Sequence, residues 1–286
     1  RGQPAAAHAR DTFTLQGEAR LAPFAAQPLQ AITLTAHRLA PQMFHPSAPQ
    51  ALLTARIDAQ PDAAGALAGT LQLDNARPAA LDRQGLPLER LHTRLRLLWQ
   101  ERARQLQLND LQIQAGKGQL RGQVDLHWPV TGDGKADGAA GWPQGQVQLS
   151  LQQLDLATWH SRLRPTRLNG TINFVGTAQQ GQTRLAVRDD HLQLDGMLQH
   201  DPHQLTLSRL ELQQGRARLT AHGQWSLAAP QPWQLDGQLH AFDPSLLAAV
   251  PPATIHAQFA ARGQRLPHLQ GTLQASIDDS QWAGAA

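Results

Sequence analysis

The stretch "QLQLNDLQIQ", residues 105–114, decides the reading of this chain, because its apolar residues alternate with polar ones and then slip by one position. Leu106 and Leu108 keep strand parity, and Leu111 and Ile113 resume it one residue late. A helix would place apolar residues at i, i+3, i+4 and i+7, whereas this window holds i, i+2, i+5 and i+7. It is a strand pattern with one residue inserted.

The slip returns at Leu149, Leu151, Leu154 and Leu156, and again at Leu205, Leu207, Leu210 and Leu212. A weakened form occupies 86–93, where Leu86, Leu88 and Leu91 are followed by Thr93 before Leu95 and Leu97 continue the parity. A two-residue hairpin and a bulge would each keep the four apolar side chains on one face. Tight hairpins demand residues that tolerate positive φ. Of the inserted pairs Glu89-Arg90, Asn109-Asp110, Gln152-Gln153 and Ser208-Arg209, only the second is turn-like. The spacing therefore predicts bulges, which bend a strand while restoring its facing. Reversals are expected further on, at "AGKG" (115–118) and "QQGR" (213–216).

A longer unit also repeats. Leu39, Leu53, Ala55 and Ile57 correspond, 115 positions on, to Leu154, Leu168, Gly170 and Ile172, and a further 87 or 88 on to Phe242, Ile255, Ala257 and Phe259. The copies, around 30–60, 147–176 and 235–263, each read strand, Pro-bearing segment, strand. In the second and third copies Asp155 and Asp243 stand where a single helical turn would be capped; Pro244 suits its first position, and Pro165 or Pro251 ends it. Unequal periods argue against a strict solenoid and for a strand array with insertions. The run "PVTGDGKADGAAGWPQG" lacks periodicity and is read as a mobile loop over 129–146, and "ARPAALDRQGLPL" (76–88) as a second loop joining two strands. The same pattern continues on both sides of each, so 1–286 is read as one continuous segment.

Composition excludes several classes of function. A chain of 286 residues with 41% apolar content can bury a substantial surface. The net charge of +3 and the pI near 10.4 come from arginines scattered singly along the chain, which is not the basic stripe of a nucleic-acid binder. The absence of cysteine removes disulfides and thiolate chemistry. No apolar run approaches the roughly 20 residues of a membrane-spanning helix. The start "RGQPAAAHAR" lacks the apolar core of a signal peptide, and the chain reads as an interior piece of something longer.

No constellation for catalysis, metal or cofactor emerges. "GKG" and "GDGK" lack the rest of a P-loop. His191, His200 and His203, beside Asp189, Asp190 and Asp201, match no compact metal spacing and fall at a turn. Asp189–Asp190 and Asp278–Asp279 are read as turn residues, since neighbours on a strand point to opposite faces. Ser150, Ser161 and Ser208 lie outside any nucleophile elbow. Tryptophans at 99, 128, 142, 159, 225, 233 and 282 suit strand-end packing as well as they suit ligand stacking. What remains is the strand face itself: an all-β, curved, antiparallel sheet with one oily and one wet side. A second sheet could cover the oily side, as in a sandwich. A barrel in lipid is disfavoured by the absence of tyrosine girdles.

Three stretches, "GTLQLDNARPAALDRQGLPLERLHTRLRL" (69–97), "LQLNDLQIQAGKGQLRGQVDL" (106–126) and "LDLATWHSRLRPTRLNGTINFVG" (154–176), resemble the repeats of the TamB family within the AsmA-like group, and the resemblance runs over essentially the whole chain. It implies an elongated sheet folded lengthwise into an open, taco-like apolar groove in the periplasm, reaching from an inner-membrane anchor towards the outer membrane. It further implies a non-enzymatic role: carriage of phospholipid acyl chains, with outer-membrane barrel assembly alongside a TamA-like partner that docks through regions outside this segment. The expected lining is Leu86, Leu88, Leu91, Leu95, Leu97, Leu106, Leu108, Leu111, Ile113, Leu120, Val124, Leu126, Leu149, Leu151, Leu154, Leu156, Leu168, Ile172, Phe174, Leu205, Leu207, Leu210, Leu212, Ile255 and Phe259.

Overall fold

The computed structural model describes residues 13–22, 29–100, 103–129, 143–265 and 268–282. They form a single 16-stranded antiparallel sheet in which every strand pairs with its neighbours in sequence, and the sheet is curved and does not close. The first half comprises β1 (Thr14–Leu21), β2 (Leu29–Leu39), β3 (Leu53–Pro61), β4 (Leu67–Asn75), β5 (Arg90–Gln100), β6 (Ala103–Ala115), β7 (Gly118–Pro129) and β8 (Gln144–Leu154). A four-residue helix, α1 (Leu156–Trp159), leads to the second half. That half comprises β9 (Leu168–Gly176), β10 (Gly181–Arg188), β11 (Leu192–His200), β12 (Gln204–Gln214), β13 (Ala217–Ser226), β14 (Pro232–Phe242), β15 (Ala253–Gln264) and β16 (Gln270–Trp282).

The slip at 105–114 is a bulge. Leu106 and Leu108 face Leu126 and Val124 of β7; the register then shifts, and Leu111 and Ile113 face Gly122 and Leu120. Those four partners share one parity, so Leu106, Leu108, Leu111 and Ile113 share one face. Asp110 carries the extra residue at φ 52°. The same device recurs at Leu151/Leu154, where Gln153 has φ 50°, and at Leu207/Leu210. Two further bulges, at Ala36/Leu39 and Leu239/Phe242, complete the longer repeat: Leu39 pairs with Leu53, Leu154 with Leu168, and Phe242 with Ile255. All of these bulges sit on even-numbered strands, which run in one direction, so the bending is concentrated towards one rim.

That rim also carries the helical turns: the 3₁₀ turns Pro41–Met43, Leu81–Arg83 and Pro244–Leu246, together with α1. Asp155 caps α1 by accepting from the Ala157 N–H, and accepts from Thr166 N–H on the way out. Asp243 repeats the arrangement with Ser245 and Ala253. These crossovers bond to one another. Gln50 N–H donates to Gln84 O, Ser161 N–H to the Asp82 carboxylate, and Arg164 N–H to Leu247 O at 2.8 Å. Arg164 follows β8 and Leu247 follows β14, six strands on, which a flat sheet would hold about 29 Å apart. Their contact, and the packing of Leu247 against Leu151, Leu168, Val187 and Leu192, make the apolar side the inside of the curve. The crossovers form a strap along that rim.

Several expectations need correction. Leu86 and Leu88 precede β5 in the 76–88 crossover and belong to no strand, so the slip at Glu89-Arg90 is the entry to β5 and not a bulge. Leu156 opens α1, because the Asp155 cap ends the β8 pairing there. The loop assigned to 129–146 is shorter, since β7 reaches Pro129 and β8 begins at Gln144; its 130–142 portion lies outside the described residues. Asp278–Asp279 is no turn but a bulge inside β16, with Asp279 at φ 38°. The reversals at 115–118 and 213–216 are two-residue turns with Gly116 and Gly215 at φ 59° and 57°, as mirror-image hairpin turns require.

Candidate functional site

Register carries one apolar face across the whole sheet. From β4 to β9 a single rung reads Leu73, Leu91, Ile113, Leu120, Leu151 and Gly170, and a parallel rung reads Leu67, Leu97, Leu106, Leu126, Gly145 and Gly176. On the same face stand Leu95, Leu108, Val124, Leu149, Ile172 and Phe174, then Leu205, Leu207, Leu210 and Leu212 of β12, and Ile255 and Phe259 of β15. The opposite face of β7 and β8 carries Gln119, Arg121, Gln123 and Asp125 against Gln152, Ser150, Gln148 and Gln146. Among the described residues there is one sheet, and no second sheet covers the apolar side.

The two halves of this face differ. Towards the strap, Leu111 is buried, as are Leu151, Leu168, Val187 and Leu192, which form a cluster on which Leu120, Leu154, Leu156 and Ile172 pack. These side chains form a core that holds the curve. Towards the opposite rim Leu97, Leu106, Val124, Leu126, Phe174 and Leu205 remain half-buried, with nothing of the described chain across them that would make a second layer. Surface available to a ligand is therefore weighted to that half.

Glycine supplies the room for the curve. Gly69, Gly122, Gly170, Gly196, Gly223 and Gly237 all stand on the inward face, mid-strand. Gly237, and with it Gly181 and Gly263 nearer the strand ends, lets an aromatic ring lie on the sheet, covering the gap in place of a side chain. A Cβ at Gly181 would overlap the His200 ring, one at Gly237 the Phe259 ring, and one at Gly263 the Trp233 indole at 2.6 Å. His200 is thus no turn residue: it ends β11 on the apolar face, 7% exposed, stacked on Phe174 with centroids 5.7 Å apart. Burial holds its imidazole below the ordinary histidine pKa, against the pull of Asp201.

The carboxylates that the sequence sets beside it are spent on turns, Asp201 next to His200 and Asp189 at the far end of the β10–β11 hairpin. Asp189 accepts from His191 and Leu192 N–H, and Asp201 from His203 and Gln204 N–H. A recess of about 1060 Å³ lies over β4 to β9 on the wet face, lined by Arg94, Arg96, Gln112, Arg121, Gln148 and Thr171 among others, with the Asn109–Asp110 bulge at its edge. Its lining mixes arginine and glutamine side chains with the backbone of the leucine rows.

These features define a class of architecture, a curled single-layer antiparallel sheet with a continuous apolar interior strapped along one rim. No protein-family profile, curated protein or solved structure matches the chain.

Proposed function

We propose that the chain is a segment of a periplasmic, non-enzymatic lipid conduit, carrying phospholipid acyl chains along its apolar face between the inner and outer membranes in support of outer-membrane biogenesis. The observation that supports this reading is the apolar face that register carries from β1 to β16, with no covering sheet among the described residues. Exposing a 16-carbon acyl chain to water costs on the order of 12 kcal/mol at about 0.8 kcal/mol per methylene. A row of near-equivalent leucines removes most of that cost without making a deep trap, because apolar contacts are non-directional. The full-length protein, on this reading, is anchored in the inner membrane and meets a TamA-like barrel elsewhere.

A photo-crosslinking residue at Val124 or Leu149, incubated with radiolabelled phospholipid, is expected to capture lipid. The same residue at Gln123 or Gln148, one step along and on the wet face, is expected to capture none. Equal labelling at both pairs would sink the conduit.

A second reading draws on the sheet edges. Among the described residues β1 and β16 each pair on one flank only, and β16 is exposed throughout. Such edges can receive an added strand, as a scaffold for barrel assembly would. Crosslinks of an unfolded barrel peptide along β16, with no lipid captured at Val124, would favour it.

A further inference from the structure

The rim opposite the strap sets an arginine between tryptophans. Trp99 at the end of β5 pairs with Arg104 at the start of β6, and Arg104 pairs with Trp128 near the end of β7. Their parity is that of Leu97, Leu106 and Leu126, so all three side chains stand on the apolar face, one rung outside those leucines. The Arg104 guanidinium carbon lies 4.3 Å from the centroid of the Trp99 ring. Its Nε is buried and has no hydrogen-bond partner among the described residues. Trp99 is 67% exposed.

A guanidinium carries its charge at every physiological pH, and stacking on an indole fixes its plane while leaving its edge to donate to a pair of oxygens. A buried donor without a partner is costly unless an acceptor arrives from outside. Indoles suit a boundary between apolar and wet surroundings. A second cross-strand pair, Trp225 and Trp233, holds the matching position on β13 and β14, and Trp233 Nε1 is likewise buried without a partner.

We infer that Arg104, with Trp99 and Trp128, is a headgroup site at the mouth of the groove, taking the phosphodiester of a glycerophospholipid whose acyl chains continue inward over Leu97, Leu106 and Leu126. This assignment rests on the conduit reading and adds to it a place and a chemistry for the headgroup.

The test uses the whole chain and three probes: dihexanoyl phosphatidylglycerol, dihexanoylglycerol, which lacks the phosphate, and glycerophosphoglycerol, which lacks the chains. Calorimetric titration of Arg104→Met is expected to lose about tenfold or more in affinity for the phospholipid, the scale of one charged hydrogen bond, with dihexanoylglycerol binding unchanged. Arg104→Lys is expected to recover part of the loss. Trp99→Leu, at an exposed position, supplies a second variant with the same expected pattern should Arg104→Met fail to fold. Undiminished phospholipid binding in Arg104→Met, or equal losses for both lipids, overturns the headgroup site. Glycerophosphoglycerol binding as tightly as the lipid would make it a site for free phosphodiesters and also overturn it. If the unmodified chain binds neither lipid, the conduit reading itself fails.

Discussion

The Thr93 hydroxyl donates to the carbonyl of Asn109, 3.1 Å away on the adjoining strand. Thr93 is 1% exposed and stands on the apolar face where the alternation calls for leucine. The Asn109–Asp110 bulge removes backbone groups from the ladder, and a buried carbonyl left unpaired is costly. Thr93 supplies the missing donor, while Arg94 pairs with the Asp110 carboxylate on the wet side. Thr93→Val is expected to lower the free energy of unfolding by about 1 kcal/mol in urea denaturation, the net worth of one part-buried hydrogen bond. Thr93→Ser keeps the donor and should cost less. An unfolding free energy unchanged in Thr93→Val would remove the hydroxyl from this role.

Asn75 is a comparable hub. Its Oδ1 accepts from Leu52 N–H and Arg77 N–H, and its Nδ2 donates to Leu86 O and Leu88 O. It is 7% exposed, and through it the crossover 76–88 is folded back onto the rim. Asn75→Asp sets a carboxylate against two carbonyls and is expected to cost at least about 2 kcal/mol. Limited proteolysis should then cut first within 76–88. Cleavage unaltered from the parent chain would remove Asn75 from this role.

The rings laid over glycine make a third prediction. Gly181→Ala, Gly237→Ala and Gly263→Ala each place a methyl where a ring now rests, on His200, Phe259 and Trp233 respectively. Overpacking of this kind typically costs about 1–3 kcal/mol. For Gly263→Ala the methyl meets the Gln270 carbonyl as well as the indole, so the β15–β16 pairing and the ring must both shift, and tryptophan emission should move to longer wavelength. Gly215→Ala, at a turn where a Cβ would meet nothing within 4 Å, is strained by its φ of 57° but should leave emission unchanged.

Periodicity made the strands, their common face and the bulges at Asn109-Asp110, Gln152-Gln153 and Ser208-Arg209 legible, because parity is a local property of the chain. The caps at Asp155 and Asp243 were legible for the same reason. The strap was not, since the bonds from Ser161 to Asp82 and from Arg164 to Leu247 join segments far apart in sequence that carry no shared pattern. Thr93 read as a flaw in the leucine row until its partner on β6 was known. Arg104 was one scattered arginine among many, and only the register of β5, β6 and β7 sets it between Trp99 and Trp128. The division of the apolar face into a packed half and a half-open one depends on where the crossovers fold, which alternation does not encode.

His200 should give the protein an acid-sensitive end. Its ring packs with Phe174, Gly181 and Leu205, Asp201 is a neighbouring charge, and burial holds its pKa below the ordinary value of 6.5. The folded chain therefore declines a proton that the unfolded chain accepts. Stability from this residue is complete above the unfolded pKa and is lost as pH falls through about 6.5, because the unfolded state then binds more protons. His200→Phe keeps a ring over Gly181 and a stacking partner for Phe174 while removing the titration. Urea midpoints measured between about pH 8 and pH 5.5 are expected to fall less for His200→Phe than for the parent chain. Parallel pH profiles for the two would show that His200 takes up its proton in the folded state as readily as in the unfolded one, and the acid-sensitive end would have to be given up.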